Sequence, residues 1–255
     1  MNLSKILLQI LWVLLLAVFL LGVPRLAGLV ADQFDYTVLD PDGAFAWLTV
    51  HHIVQALIFL LLMIIITRLT GIQFGFGWGD RHAGWAYVRV FVLIFTGYTV
   101  VLMLITILTG GFQPFPYPLT ARNIGGYLGF QLLLTGPSEE LIFRAFAMTT
   151  LGLMIAGVAL QGETGFGRVV TTFFGGKITS VNLIAALIFG LAHVRFNFNP
   201  FSAEYSLGQV LYSVGLGLFY GVAYERSGSM LYPMIMHSFT NVAMVGATVI
   251  ASMLL

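Results

Sequence analysis

Six polar residues in the C-terminal half of this chain have the types and spacing of a hydrolytic site. Glu139, Glu140 and Arg144 lie in PSEELIFR (137–144), within a run from Tyr127 to Leu160 that holds no other charge. His193 closes FGLAH (189–193), and His237 and Asn241 bracket HSFTN (237–241). A carboxylate raised in pKa by burial can take a proton from water near neutral pH, and an imidazole can share that task. A second imidazole and an amide can donate hydrogen bonds to a developing oxyanion. Glu139, His193, His237 and Asn241 supply that set. Residues four apart share a helix face, so Glu140 and Arg144 are expected to pair and to neutralise each other. Glu139 is turned about 100° from Glu140 and stays available for chemistry. Pro137 should kink or restart its helix near Leu133, with Thr135 and Ser138 satisfying freed backbone groups and water collecting beside Glu139.

Plainer readings exist for each residue. A Glu–Arg pair can simply lock helices, a lone buried histidine is more often an interhelical hydrogen bond, and Asn241 alone would be helix glue. Zinc is a further option, with Glu139, His193 and His237 as its ligands. No His-Glu-x-x-His pair is present, and a carboxylate base can act without a metal.

The elements that must hold these residues are membrane helices. Of the 255 residues, 59% are hydrophobic and only 8% charged, too few charges to cover a water-facing surface. Mean hydropathy is +0.97. The composition predicts an all-α, polytopic membrane helix bundle of about seven transmembrane helices, with interfacial helices besides. The spans fall near 6–30, 50–67, 86–108, 125–155, 181–194, 207–223 and 230–254. The first resembles the start of a signal peptide but is long for one, and it reads as a retained helix. The fifth is short and reads as a helix buried in the bundle. A charge inside the bilayer costs about 3 kcal/mol or more. Eight of the ten acidic residues lie in loops or at span ends, and only Glu139 and Glu140 lie deep in a span. His51, His52 and His82 read as span-end or loop residues.

Loop charges set the orientation. With the N-terminus inside, seven Lys and Arg fall on inner segments against three on outer ones, which favours N-inside and C-outside. A single catalytic cavity is then expected to open toward the inner face. The stretch 71–85 reads as an aromatic interfacial loop, and 161–180 as a short amphipathic surface helix. Nucleic-acid binding is excluded by the lack of a basic patch. Thiol chemistry is excluded because there is no cysteine. The Gly-x-Gly spacing in 71–85 lacks the strand and Gly-Lys-Ser/Thr of a phosphate loop.

EELIFR, FGLAH and HSFTN together resemble the Glu-Glu-x-x-x-Arg, Phe-x-x-x-His and His-x-x-x-Asn/Asp motifs of the CAAX protease and bacteriocin-processing (CPBP, or Abi) family. The resemblance covers roughly Gly125 onward. It divides one membrane domain (1–255) into N-terminal helices and loops over 1–123 and a CPBP-like catalytic core over 124–255. By that resemblance the protein is an intramembrane endopeptidase. Glu139 with His193 would activate water, His237 with Asn241 would form the oxyanion hole, and Glu140 and Arg144 would support them. The resemblance also implies a peptide or protein substrate at the bilayer and a prokaryotic inner or plasma membrane. The competing expectations are a non-catalytic membrane subunit or scaffold that keeps the fold, within a larger complex, and a proton-coupled transporter. The missing internal repeats weigh against the transporter.

Overall fold

The computed structural model describes residues 3–156, 168–173, 176–198 and 200–255. Helix α1 (Leu3–Ala31) buries Leu16, Leu20, Val23, Ala27 and Ala31, spaced three or four apart. Its opposite face exposes Leu7, Leu11, Leu14 and Val18, an apolar surface suited to lipid rather than water. Helix α2 (Ala46–Thr70) ends at Gly71, whose φ of 77° closes the C-terminus in the left-handed conformation. Helix α3 (Arg81–Leu108) starts five residues earlier than its apolar run, because the Asp80 carboxylate accepts from the Ala83 N–H at 3.0 Å. Ahead of it, 71–80 is irregular, with Phe74 turned into the core and Phe76 and Trp78 exposed.

The fourth span is one long helical run over 121–156. It comprises α4 (Ala121–Phe130), a π turn at Gln131–Thr135, α5 (Gly136–Glu140), a π segment at Leu141–Met148 and α6 (Thr149–Ala156). Pro137 therefore neither breaks nor restarts the run. The missing N–H and the ring crowding are absorbed by the wider π turn just before it. Ser138 Oγ donates to the Thr135 carbonyl at 3.2 Å, as expected, whereas Thr135 Oγ1 makes no hydrogen bond among the described residues. Helix α7 (Ser180–Leu191) is short, and Val181, Ala185, Ala186, Ile188 and Phe189 are buried on it. It packs along α8 (Leu207–Ser227), where Gly217 brings the backbones close; a Cβ there would lie 3.1 Å from Ala186 Cβ. Helix α9 (Leu231–Leu254) closes the bundle against α3 and α5.

Among the described residues, α1, α2, α3, α8 and α9 are long and apolar enough to cross a membrane. The bundle is thus all-helical but for two small hairpins, β1 (Val169–Phe173) with β2 (Gly176–Thr179) and β3 (Arg195–Phe198) with β4 (Phe201–Glu204). The first overturns the surface helix expected over 161–180, of which 161–167 and 174–175 lie outside the described residues. Val169, Val170, Thr171, Thr172 and Ile178 are β-branched and favour a pleated strand over a helix.

The α1–α2 connection is organised by Asp40, which is buried. Its Oδ1 accepts from the Ala44 N–H at 2.8 Å, and its Oδ2 from the Phe45 and Ala46 N–H groups at 2.6 and 2.7 Å. These are donors that the start of α2 leaves without helical partners. Burial pushes the Asp40 carboxyl up, but the three N–H groups and the Arg122 charge outweigh it and hold it below the usual carboxylate range. A depressed folded value stabilises the fold above the unfolded value of about pH 4, and that stability fades as pH falls through the folded value. Asp40→Ala should cost about 1–2 kcal/mol at pH 7. Thermal unfolding in detergent should show the gap to wild type closing in acid; a gap constant down to pH 2 would contradict this account.

Candidate active site

The helical run that carries Glu139 and Glu140 can lie close on α9 because residue 136 is glycine and has no side chain. A Cβ on Gly136 would fall 2.6 Å from Ser238 Oγ and 2.7 Å from Ser238 N. This contact sets α5 beside His237, the residue before Ser238. Glu140, on α5, is 0% exposed and Arg144, one turn on, is 1% exposed. Arg144 Nε lies 3.0 Å from Glu140 Oε2, so the expected ion pair forms, in Coulomb contact though without the alignment of a hydrogen bond. The guanidinium is sandwiched between rings, 4.8 Å from the Phe189 centroid and 5.3 Å from that of Tyr220. Its Nη2 also donates to the Gly217 carbonyl at 3.3 Å. Cation–π contacts of this kind gain strength when desolvated.

Glu140 has a second partner that spacing alone did not reveal. Its Oε1 accepts from His237 Nδ1 at 2.8 Å. An ionised carboxylate only accepts, so Nδ1 carries a proton and Nε2 points the other way. Nε2 lies 3.7 Å from Glu139 Oε2. Glu139 keeps 20% of its side chain exposed, in contrast to Glu140. The two adjacent glutamates thus flank opposite edges of one imidazole. Tyr220 stacks on that imidazole at 5.0 Å, and Tyr220 Oη shares a hydrogen bond with Thr240 at 2.7 Å.

His193 lies in the turn just after α7 rather than within a helix. Its Nδ1 is 2.9 Å from the Phe189 carbonyl, which can only accept, so Nε2 of the neutral ring is a free acceptor. The Phe189 ring meets His193 at 5.1 Å, His237 at 5.8 Å and Phe143 at 5.0 Å, all edge-on. The three segments carrying the candidate residues therefore meet around one aromatic ring. Glu139, Glu140, Arg144 and His237 are in direct polar contact. His193 joins them through Phe189, with no hydrogen bond to Glu139 among the described residues. Asn241 lies one turn beyond His237, and its Nδ2 is buried with no hydrogen bond among the described residues. An unsatisfied buried donor is costly unless a ligand meets it.

Sequence reasoning placed His52 at a span end, yet it is buried, and its Nδ1 lies 2.7 Å from Ser138 Oγ, beside Glu139. Gln55, three residues on, donates its Nε2 to the same hydroxyl at 3.4 Å. Two polar residues on one face inside an apolar span were the available signal. Tyr220 carried none, because its role depends on the residue it stacks against. A cavity of about 780 Å³ adjoins the site, lined among others by Leu21, Arg25, His51, His193 and Phe196. It lies at the C-terminal half of α1, the end of the bundle away from Leu3. An N-terminus inside and a cavity opening inward therefore do not go together. Among the described residues, no three His, Asp or Glu side chains gather as a metal site. The Nδ1 of both His193 and His237 is already engaged.

Residues 123–243 match the family model described as "Type II CAAX prenyl endopeptidase Rce1-like". No curated protein and no solved structure matches the chain. The match takes in α4 to the first half of α9 and leaves α1–α3 outside it.

Removing one partner of a buried ion pair strands the other. Arg144→Met should destabilise the protein by about 3–5 kcal/mol, with Glu140→Gln/Arg144→Met much milder. Thermal unfolding in detergent decides this, and Arg144→Met melting like wild type would show that the pair is dispensable.

Proposed function

We propose that the chain, whose residues 123–243 match the Rce1-like model of type II CAAX prenyl endopeptidases, is a member of that family and hydrolyses a peptide bond in a membrane-associated substrate with a water activated by Glu139 and His193. The observation carrying this reading is the contrast between the two glutamates. Glu140 is sealed and neutralised, while Glu139 is partly open and faces His237 Nε2. Glu139 takes a proton from water as the oxygen attacks the scissile carbonyl carbon. His193 shares that water through its free Nε2. Charge gathers on the carbonyl oxygen and is met by Asn241 Nδ2–H and His237 Nε2–H. Because Nδ1 is committed to Glu140, Nε2 donates when the ring is the imidazolium. The C–N bond then breaks, and the proton on Glu139 passes to the leaving amine. Glu140 and Arg144 hold His237 in register.

This chemistry is complete with protein groups and water. Were zinc used, Glu139, His193 and His237 would be its ligands. The test uses purified protein and a panel of fluorescence-quenched peptides, headed by a prenylated Cys-aliphatic-aliphatic-X peptide. Wild type should cut at least one. Glu139→Gln should lose about 10³-fold in kcat/KM, and Asn241→Ala about 10²-fold. EDTA or phenanthroline should leave cleavage unchanged. Full activity in Glu139→Gln would sink the mechanism, and loss with chelator that zinc restores would replace it with a metal-dependent one.

The protein is an integral membrane protein, and we place it in a prokaryotic plasma membrane with its N-terminus inside. Seven inner against three outer Lys and Arg support this. The cavity beside His193 then opens on the outer face. The chain has no cysteine, so introduced ones report cleanly. Asp35→Cys should react with an impermeant maleimide on intact cells and Gln73→Cys only after lysis; the reverse pattern would invert the topology.

A further inference from the structure

We infer that His52, with Gln55, is a positioning residue for Glu139, acting through Ser138 from a helix outside the family segment. The inference rests on Glu139 being the base. His52 is 8% exposed, and its ring packs edge-on against Phe130 at 5.0 Å. Its Nδ1 lies 2.7 Å from Ser138 Oγ. Gln55 Nε2 lies 3.0 Å from the same nitrogen and 3.4 Å from the same hydroxyl. Ser138 Oγ also reaches the Thr135 carbonyl at 3.2 Å. With its own proton on the Thr135 carbonyl, Ser138 Oγ accepts from His52 Nδ1 and from Gln55 Nε2, so both α2 side chains are tied to the segment 135–138, immediately before Glu139.

That segment is where the catalytic run holds itself least. Pro137 has no N–H to give, and the turn before it is π rather than α. Two further helices supply the missing restraint. Helix α9 abuts Gly136 at Ser238, and α2 clamps Ser138 from its own side. Burying a histidine and a glutamine in an apolar helix is costly unless their bonds are made, and both are made here to the catalytic run. The pair therefore fixes where the backbone places Glu139. A displacement of about 1 Å in a reacting group can cost about 10²-fold in rate.

The test uses whichever panel peptide wild type cuts, with kcat normalised to folded protein by size-exclusion and circular dichroism. His52→Ala should lower kcat about 10- to 100-fold and change KM little. Ser138→Ala should do the same, and the double variant should be no worse than either single one. His52→Asn places an amide near the Nδ1 position and should recover most of the rate. If His52→Ala does not fold, Gln55→Leu and Ser138→Ala carry the comparison. Wild-type kcat in folded His52→Ala, or losses that multiply in the double variant, would overturn the inference. An inactive Glu139→Gln beside a fully active His52→Ala removes this inference alone. An active Glu139→Gln, or a wild type that cuts no peptide, removes the mechanism beneath it as well.

Discussion

A buried charge pair organises this molecule. Glu140 and Arg144 sit at 0% and 1% exposure in a chain of which only 8% is charged. Desolvating them is expensive, and the Coulomb attraction compensates only with further contacts in place. Those contacts come from separate elements. Phe189 arrives on α7, Tyr220 and the Gly217 carbonyl on α8, and His237 on α9. Satisfying one ion pair therefore draws four helical segments to one point. The same convergence brings His237 against Glu139, so the requirement that makes the fold specific also assembles the chemistry.

Helix irregularity is the second ingredient. A regular α-helix through Pro137 would lose a bond and crowd a carbonyl. The π turn before Pro137 and the π segment after Glu140 bracket the two glutamates instead. Such turns widen the helix and recur at functional sites. Gly136 then lets α9 approach to backbone contact, which no larger residue would permit. Close packing is concentrated on the five residues, Gly136–Glu140, that carry the two carboxylates.

The N-terminal helices are more than a lipid-facing shell. Helix α2 sends His52 and Gln55 to Ser138, and α1 and α2 form much of the cavity wall opposite His193. Since the family match begins at residue 123, these contributions come from outside it. The cavity wall is thus shared between α1 and α2, outside the matched segment, and residues 192–197 with Phe201, inside it.

Much of this was legible in the chain itself. Composition and apolar run lengths determined the membrane class, and i, i+4 spacing determined the Glu140–Arg144 pair, because both depend on residues near one another in sequence. The two adjacent glutamates could also be told apart by helical rotation. Contacts between distant segments could not be read this way. Glu140 meeting His237 across 97 positions, His52 meeting Ser138 across 86, and Tyr220 stacking on His237 all depend on how helices cross. The hairpin at 169–179 and the placement of the large cavity at the end away from Leu3 likewise emerged only from the fold. Local spacing follows from the geometry of one helix, whereas which faces of different helices meet is decided by packing the whole bundle at once.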